Sequence, residues 1–226
     1  MDILYFLKER TRLIRLYYAG ADATFAQTLK SIRAGREPFV PRPEDAESGE
    51  PPFQSEYDDN VELLEVSGRV CLSMLAASLK LYFAAWKRDL CLALTKADVS
   101  TFKANGYVSG FRDLLAREVG IDWGTCPADL ALVEQVVLAR NREQHPEHIT
   151  RLAVTHAEAD IARHPRPFFM SEFEASLADP VTGEFWMQPS VHVPKEKLSD
   201  AITEVEKLCD WLEPLLLAAL IRPRPS

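Results

Sequence analysis

Apolar side chains recur at steps of three and four residues over several long stretches of the chain, which is the spacing of one face of an α-helix. This pattern predicts a first helix over residues 2–34, ended by the stop signal Gly35. It predicts a second helix over residues 60–94, for which the polar residues 58–60 supply a cap. The chain therefore begins with two long helices.

Proline and glycine mark the boundaries of the later helices. A third helix is predicted over residues 107–119, ending before Gly120. Pro127 fits the first position of a fourth helix, and Pro146 stops it. A last helix is predicted over residues 194–221.

Two segments between these helices are less regular. Residues 36–59 are rich in proline and acidic residues, which predicts an exposed loop. Residues 147–193 are predicted to form short helices at 150–162 and 171–177, followed by two strands of a small β-hairpin at 179–187 and 191–193. The predicted fold is an all-α helical bundle with this insertion before the last helix, forming one domain over residues 1–226.

Composition and charge narrow the classes of function. The chain has 226 residues, of which 47% are hydrophobic and 27% charged, enough apolar material for a sizeable core. A net charge of -8 and a pI near 5.2 give no global basic field for nucleic acid, so RNA would need a local basic patch. We find no signal peptide and no apolar run approaching the roughly 20 residues that span a bilayer, and we expect a cytoplasmic protein without membrane contact.

Candidate catalytic side chains are concentrated at the end of the fourth helix, in the segment Arg140-Asn141-Arg142-Glu143-Gln144-His145. At about 100° per residue, Arg140 lies about 20° from Val133 and about 60° from Val137, so it continues the apolar stripe. A core-facing arginine is costly without a partner. Either an internal acid pairs with Arg140, or the stripe opens into a groove or a subunit interface.

These residue types suit phosphoryl transfer on RNA. Arg140 would hold the phosphate and neutralise developing charge, and His145 can move a proton at neutral pH. Asn141 could orient the imidazole or the phosphate through its amide. RNA carries its own nucleophile in the 2′-hydroxyl, so cleavage requires only positioning, charge and proton transfer, and no cofactor.

An arginine, a polar residue, three further residues and a histidine at a helix end resemble the R-x4-6-H motif of HEPN-domain proteins. That resemblance implies a helical bundle, metal-independent cleavage of RNA, and a homodimer in which two motifs form one cleft. It implies Arg140 and His145 as catalytic residues and Asn141 as a supporting one. Arg142 and His148 also fit the spacing. The acidic loop and the region 147–193 are not part of a minimal HEPN bundle.

The basic residues around the motif would form the local RNA footprint if the fold gathers them. The set is Arg140, Arg142, His148, Arg151, Arg163, His164 and Arg166. Of these, we expect Arg142, His148 and Arg151 to bind substrate. The expected role is a toxin or phage-defence effector, with RNA, a second copy, and an antitoxin or partner subunit as its partners.

Other interpretations stay open. Arg142, His145 and His148 could simply complement the helix dipole. A metal site could use His145 and His148 with the nearby glutamates, or the row His156, Asp160 and His164. The aromatic residues at 185–186 and Met187 could stack on bases, although core packing of the hairpin is the expectation. The alternative function is a non-catalytic helical interaction module, such as an antitoxin, an immunity protein or a scaffold.

Overall fold

Helices make up most of the chain that the structure, a computed structural model, describes: residues 2–42, 50–145, 153–179 and 182–221. In order they are α1 (Ile3–Arg33), α2 (Gln54–Asp89), α3 (Lys96–Asn105), α4 (Tyr107–Val119), α5 (Leu130–Gln144), α6 (Glu158–Arg163), α7 (Glu172–Ser176) and α8 (Lys195–Ile221). No strand occurs in these described ranges. The all-α class and the two long N-terminal helices are confirmed.

α1 and α2 form an antiparallel pair. The Arg33 guanidinium at the end of α1 donates to the Tyr57 hydroxyl at the start of α2, while Ile3 and Leu7 line the same cavity as Tyr82 near the end of α2. α1 buries its side chains at steps of three and four from Ile3 to Tyr18. The periodicity predicted for this helix is present, but Leu13, Leu16 and Tyr17, which the pattern placed on the inner stripe, are exposed.

α2 lies at the centre of the molecule, in contact with α1, α5 and α8. These helices share one contiguous core, and its fully buried members include Leu75, Leu79, Val136, Ile202 and Leu208. By length and composition alone α2 is also able to cross a membrane. Half of its most apolar 18-residue window is buried inside the protein, and a core helix satisfies the same criterion.

The bounds of α2 differ from the prediction, and one further helix follows it. α2 begins at Gln54, so the last six residues of the predicted loop are helical, and the residue before it, Phe53, adopts a left-handed conformation without a side-chain cap. α2 ends at Asp89 instead of residue 94. Helix α3 was not predicted. Thr95 and Asp98 form a reciprocal capping box at its start.

The later helices follow the prediction more closely. α4 has the predicted bounds and ends at Gly120, whose φ of 79° is left-handed. α5 begins at Leu130 instead of Pro127, because the Asp129 side chain accepts the two backbone N–H groups of the first turn. α8 begins one residue later than predicted, at Lys195.

The predicted β-hairpin is wrong. Val191 donates its backbone N–H to Val154, and His192 donates to Phe169. The described residues of 179–187 therefore do not pair with 191–193, and the one bridge in the described chain joins Thr155 to Ser190. Val191 and Val193 are buried, which explains their alternation, but they pack against the helical core and not against a second strand. The predicted helix at 150–162 is shorter in its described part, where α6 begins at Glu158.

Candidate functional site

The last turn of α5 carries the predicted catalytic residues, and core packing fixes its position. Leu132, Val133, Val136 and Val137 are buried on this helix, and α5 contacts α2, α4 and α8. Its C-terminal turn therefore projects from a rigid element beside α2. Sites on packed helices hold their geometry better than sites on loops.

The Arg140 guanidinium lies half-buried at the boundary between α5 and α2. Its Nη1 donates to Asn141 Oδ1 at 3.2 Å, and its buried Nε has no hydrogen-bond partner. Lys80 of α2 is close enough that burial, together with repulsion from Arg140, lowers the lysine pKa. No acid pairs with Arg140 in the described part of the chain. Two cations therefore share this boundary without a neutralising carboxylate.

The sequence predicted that an internal acid could pair with Arg140. The acid nearby is Glu143, and it pairs with Arg69 instead. Arg69, in the middle of α2, is 5% exposed. Its Nη2 lies 2.9 Å from Glu62 Oε1 and its Nε lies 3.0 Å from Glu143 Oε2. Sequence reasoning missed Arg69, although an arginine within a stretch of small and apolar residues is the same signal that singled out Arg140.

The pairing of helices α2 and α5 is antiparallel at this point. Arg69 meets Glu143, and the later Lys80 meets the earlier Arg140. Ser73 lies between Arg69 and Lys80 along α2, and its buried hydroxyl oxygen has no hydrogen-bond partner in the described chain. Among the described residues, four buried polar atoms at this boundary have no hydrogen-bond partner: Ser73 Oγ, Arg140 Nε, and Arg69 Nε and Glu143 Oε2, which face each other as an ion pair. Such atoms require an explanation, and a bound anion or water is one.

His145 is exposed and occupies the C-cap of α5. Its backbone N–H donates to the carbonyls of Asn141 and Arg142. Five helical residues correspond to about 140° of rotation, so the imidazole and the Arg140 guanidinium point in different directions. The structure gives no hydrogen bond between them within one chain. The predicted contact of Asn141 is instead made to Arg140.

The residues predicted to bind substrate differ in their locations and contacts. Arg142 Nε donates to the carbonyl of Thr155 at 2.9 Å, which ties the end of α5 to the segment before α6. His148 and Arg151 lie outside the described residues. Arg163 pairs with Glu134 at 2.6 Å, so it is neutralised away from the Arg140 boundary. His164 faces the same carboxylate, so Glu134 of α5 offsets part of the positive charge of the basic set.

The row His156, Asp160 and His164 lines one cavity of about 10 Å³, although only Asp160 lies within α6. Burial lowers the His156 pKa, and its Nε2 lies 3.0 Å from the Phe169 carbonyl. His164 faces Glu134 at 3.5 Å. No group of three or more histidine, cysteine or acidic residues in the described ranges is arranged to hold a metal ion.

The expectation of core packing is wrong for Trp186 and Met187, which are 93% and 82% exposed. They line an open cavity of about 630 Å³ with Leu177 and Thr155. Phe169, in contrast, is fully buried. The exposed tryptophan is thus a surface feature, and Thr155 joins this cavity to Arg142 of α5.

Comparisons of the chain with models of protein families, with characterised proteins and with solved structures find no match.

Proposed function

We propose that this chain is a metal-independent endoribonuclease of the HEPN type, acting as a toxin or phage-defence effector. The observation that carries the proposal is the half-buried Arg140, whose buried Nε has no protein partner and whose charge is repelled by the nearby cation Lys80. A half-buried guanidinium with one unpaired buried N–H, beside a second cation, favours an anion at that boundary. The phosphodiester of RNA is such an anion.

The residues of the last turn of α5 supply the remaining chemistry. The 2′-hydroxyl attacks the adjacent phosphorus and the 5′-oxygen leaves, which yields a 2′,3′-cyclic phosphate and a 5′-hydroxyl end. Arg140 stabilises the charge that develops on the phosphoryl oxygens. The exposed His145 moves a proton, either from the 2′-hydroxyl or to the leaving oxygen. Asn141 accepts from Arg140 Nη1 and acts as a positioning residue.

One chain supplies these groups in diverging directions, and this favours a site that a second copy completes. Arg140 faces the boundary with α2, whereas His145 faces solvent at the end of α5. A homodimer that joins two α5 ends would give one phosphate an arginine and a histidine from different chains. No cofactor takes part in this reaction.

RNA cleavage in EDTA tests the proposal. Wild type should cut single-stranded RNA and leave cyclic phosphate ends, whereas Arg140→Ala and His145→Ala should each lower the rate by about 100-fold or more. Arg12→Ala is the matched control, because Arg12 is an exposed helical arginine paired only within α1. The proposal fails if the three variants cleave alike, or if wild type leaves every RNA intact.

A non-catalytic interaction module is the second candidate, and the exposed aromatic surface around Trp186 favours it. Trp186, Met187, Phe173 and Leu177 are all exposed in this region, with the acidic residues Glu172 and Glu184 exposed beside them. Tryptophan and methionine in such a setting anchor protein interfaces, and the flanking acids favour a partner with a basic rim.

Affinity purification of the tagged full-length chain separates the two candidates. If the chain is a binding module, Trp186→Ser should lose a partner that His145→Ala retains. If it is a nuclease that does not use this surface, Trp186→Ser should cleave RNA as wild type does and His145→Ala should not.

A further inference from the structure

The outer face of α2 carries a second apolar stripe, opposite the core. Its apolar members follow a seven-residue repeat: Leu63, Val70, Met74, Ala77, Leu81 and Ala84. The two other positions of the repeat are polar, since Ser67 is buried within the chain and Arg88 ends the stripe. Leu63, Met74 and Leu81 are all more than 40% exposed. A seven-residue repeat of mostly apolar residues is the pattern of a seam between two packed helices. In one chain this seam has no partner among the described residues.

α1 extends the stripe sideways. Phe6, Leu13 and Tyr17, at spacings of seven and four residues, are each slightly more than half exposed. Phe6 and Leu81 line the same cavity, of about 440 Å³, between the two helices. The exposed side chains of α1 and α2 therefore form one continuous surface, which we call the seam face.

The seam face is large enough for a stable interface. Its six large side chains, each about half exposed, present about 600 Å² of apolar surface, because aromatic and aliphatic side chains carry about 150–250 Å² each when free. Monomeric proteins rarely expose a larger patch, and a standard interface buries about 800 Å² on each partner. The alanines of the repeat and the stem of Arg10 supply much of the difference.

The charges along α2 identify the occupant as a second copy of the chain. Glu56 and Asp59 are exposed at the N-terminal end of the stripe, whereas Arg88 is exposed at its C-terminal end, where it also pairs with Asp89. In an antiparallel pairing of two α2 helices centred between Met74 and Ala77, the repeat positions coincide. Leu63 then meets Arg88 of the second copy, one helical turn from the carboxylate of Asp59. The acidic end of each helix faces the basic end of the other.

We propose that the seam face is the homodimer interface, formed by antiparallel packing of α2 against α2 of the second copy, with α1 at its flank. The interface is isologous, because the same stripe serves on both subunits. This proposal stands independently of nuclease activity. It names a surface, formed by α1 and α2, that can be tested by oligomeric state alone.

Sedimentation velocity of the full-length chain, from about 0.5 to about 50 µM, tests the interface. Wild type should be a dimer in this range. Leu81→Glu should raise the dissociation constant by about 100-fold or more, because each dimer then buries two unpaired carboxylates. Leu177→Glu is the matched control, since Leu177 is 55% exposed against 52% for Leu81 and lies outside the seam face. It should leave the dimer intact.

A charge exchange tests the register and guards against misfolding. Arg88→Glu should weaken the dimer by about tenfold, and adding Asp59→Arg should restore it, because the double variant exchanges the two signs. Circular dichroism should show the same helix content in all variants. A monomeric wild type, association unchanged by Leu81→Glu, or no rescue by the double variant would each overturn the proposal. So would a monomer that uses the seam face to bind anionic vesicles.

Discussion

Gly68 gives a quantitative test of how α2 packs against the segment before α8. A Cβ atom added at Gly68 would lie 2.3 Å from the Val193 carbonyl oxygen and 3.0 Å from Val193 Cβ. Gly68→Ala must therefore move a backbone atom by at least 0.7 Å to reach the 3.0 Å below which Cβ contacts essentially never occur. Val193 is 2% exposed, and the preceding His192 is held by Phe169 and Glu65. The segment has little freedom to yield.

The expected effect follows from two opposed terms. Alanine is favoured over glycine within a helix by about 1 kcal/mol. Overpacking a buried site costs about 1–3 kcal/mol, and a contact with fixed backbone belongs at the upper end of that range. Gly68→Ala should therefore lower the free energy of unfolding by about 2 kcal/mol, whereas the same substitution at a free helical position should raise it by about 1 kcal/mol.

Gly20 provides such a free helical position, and Gly20→Ala is the matched control. Gly20 lies on the exposed side of α1, and an added Cβ would meet nothing within 4 Å. Urea unfolding followed by circular dichroism, with both variants at one protein concentration, should separate them by about 3 kcal/mol, which is the overpacking term alone. A Gly68→Ala variant as stable as Gly20→Ala would refute the close approach of α2 to Val193 and the placement of that segment.

Three further predictions concern caps, burial and pH. Asp129→Ala should lower the free energy of unfolding by about 1 kcal/mol in urea titrations, because two first-turn amides of α5 lose their acceptor. Glu213→Leu should lower it by about 1–3 kcal/mol, since its Oε2 accepts from the Tyr82 hydroxyl at 2.8 Å and from the Trp86 indole N–H at 3.1 Å; equal stability would contradict this network. Burial lowers the His156 pKa in the folded state, so the folded protein holds this imidazole neutral. The free energy of unfolding is therefore at its full value above the unfolded pKa of about 6.5 and decreases as the pH falls below that value. Urea midpoints measured between pH 8 and pH 5 should fall less for His156→Gln than for wild type, and parallel curves would contradict the prediction.

The sequence predicted which types of residue lie at the candidate site, but not which arginine pairs with which acid. The stripe argument places Arg140 towards the core, and in the structure it is half-buried. The sequence offered an acid or an open boundary as its surroundings. Glu143, three residues later, is the acid, but α2 brings Arg69 to it. The packing of two helices distant in sequence is what selects the arginine that is neutralised.

Helices whose signals are local could be predicted without any knowledge of the fold. α1, α4 and α8 follow from apolar periodicity and from terminal residues such as Gly120, since helical hydrogen bonds join residues four apart. Contacts between distant segments could not be predicted in this way. Val191 pairs with Val154 and not with a neighbouring strand, because buried backbone groups take the partner that the core brings near. The outer stripe of α2 is visible in the sequence as a seven-residue repeat. Only the packing of the other helices shows that the inner face of α2 is covered and that the outer stripe is exposed.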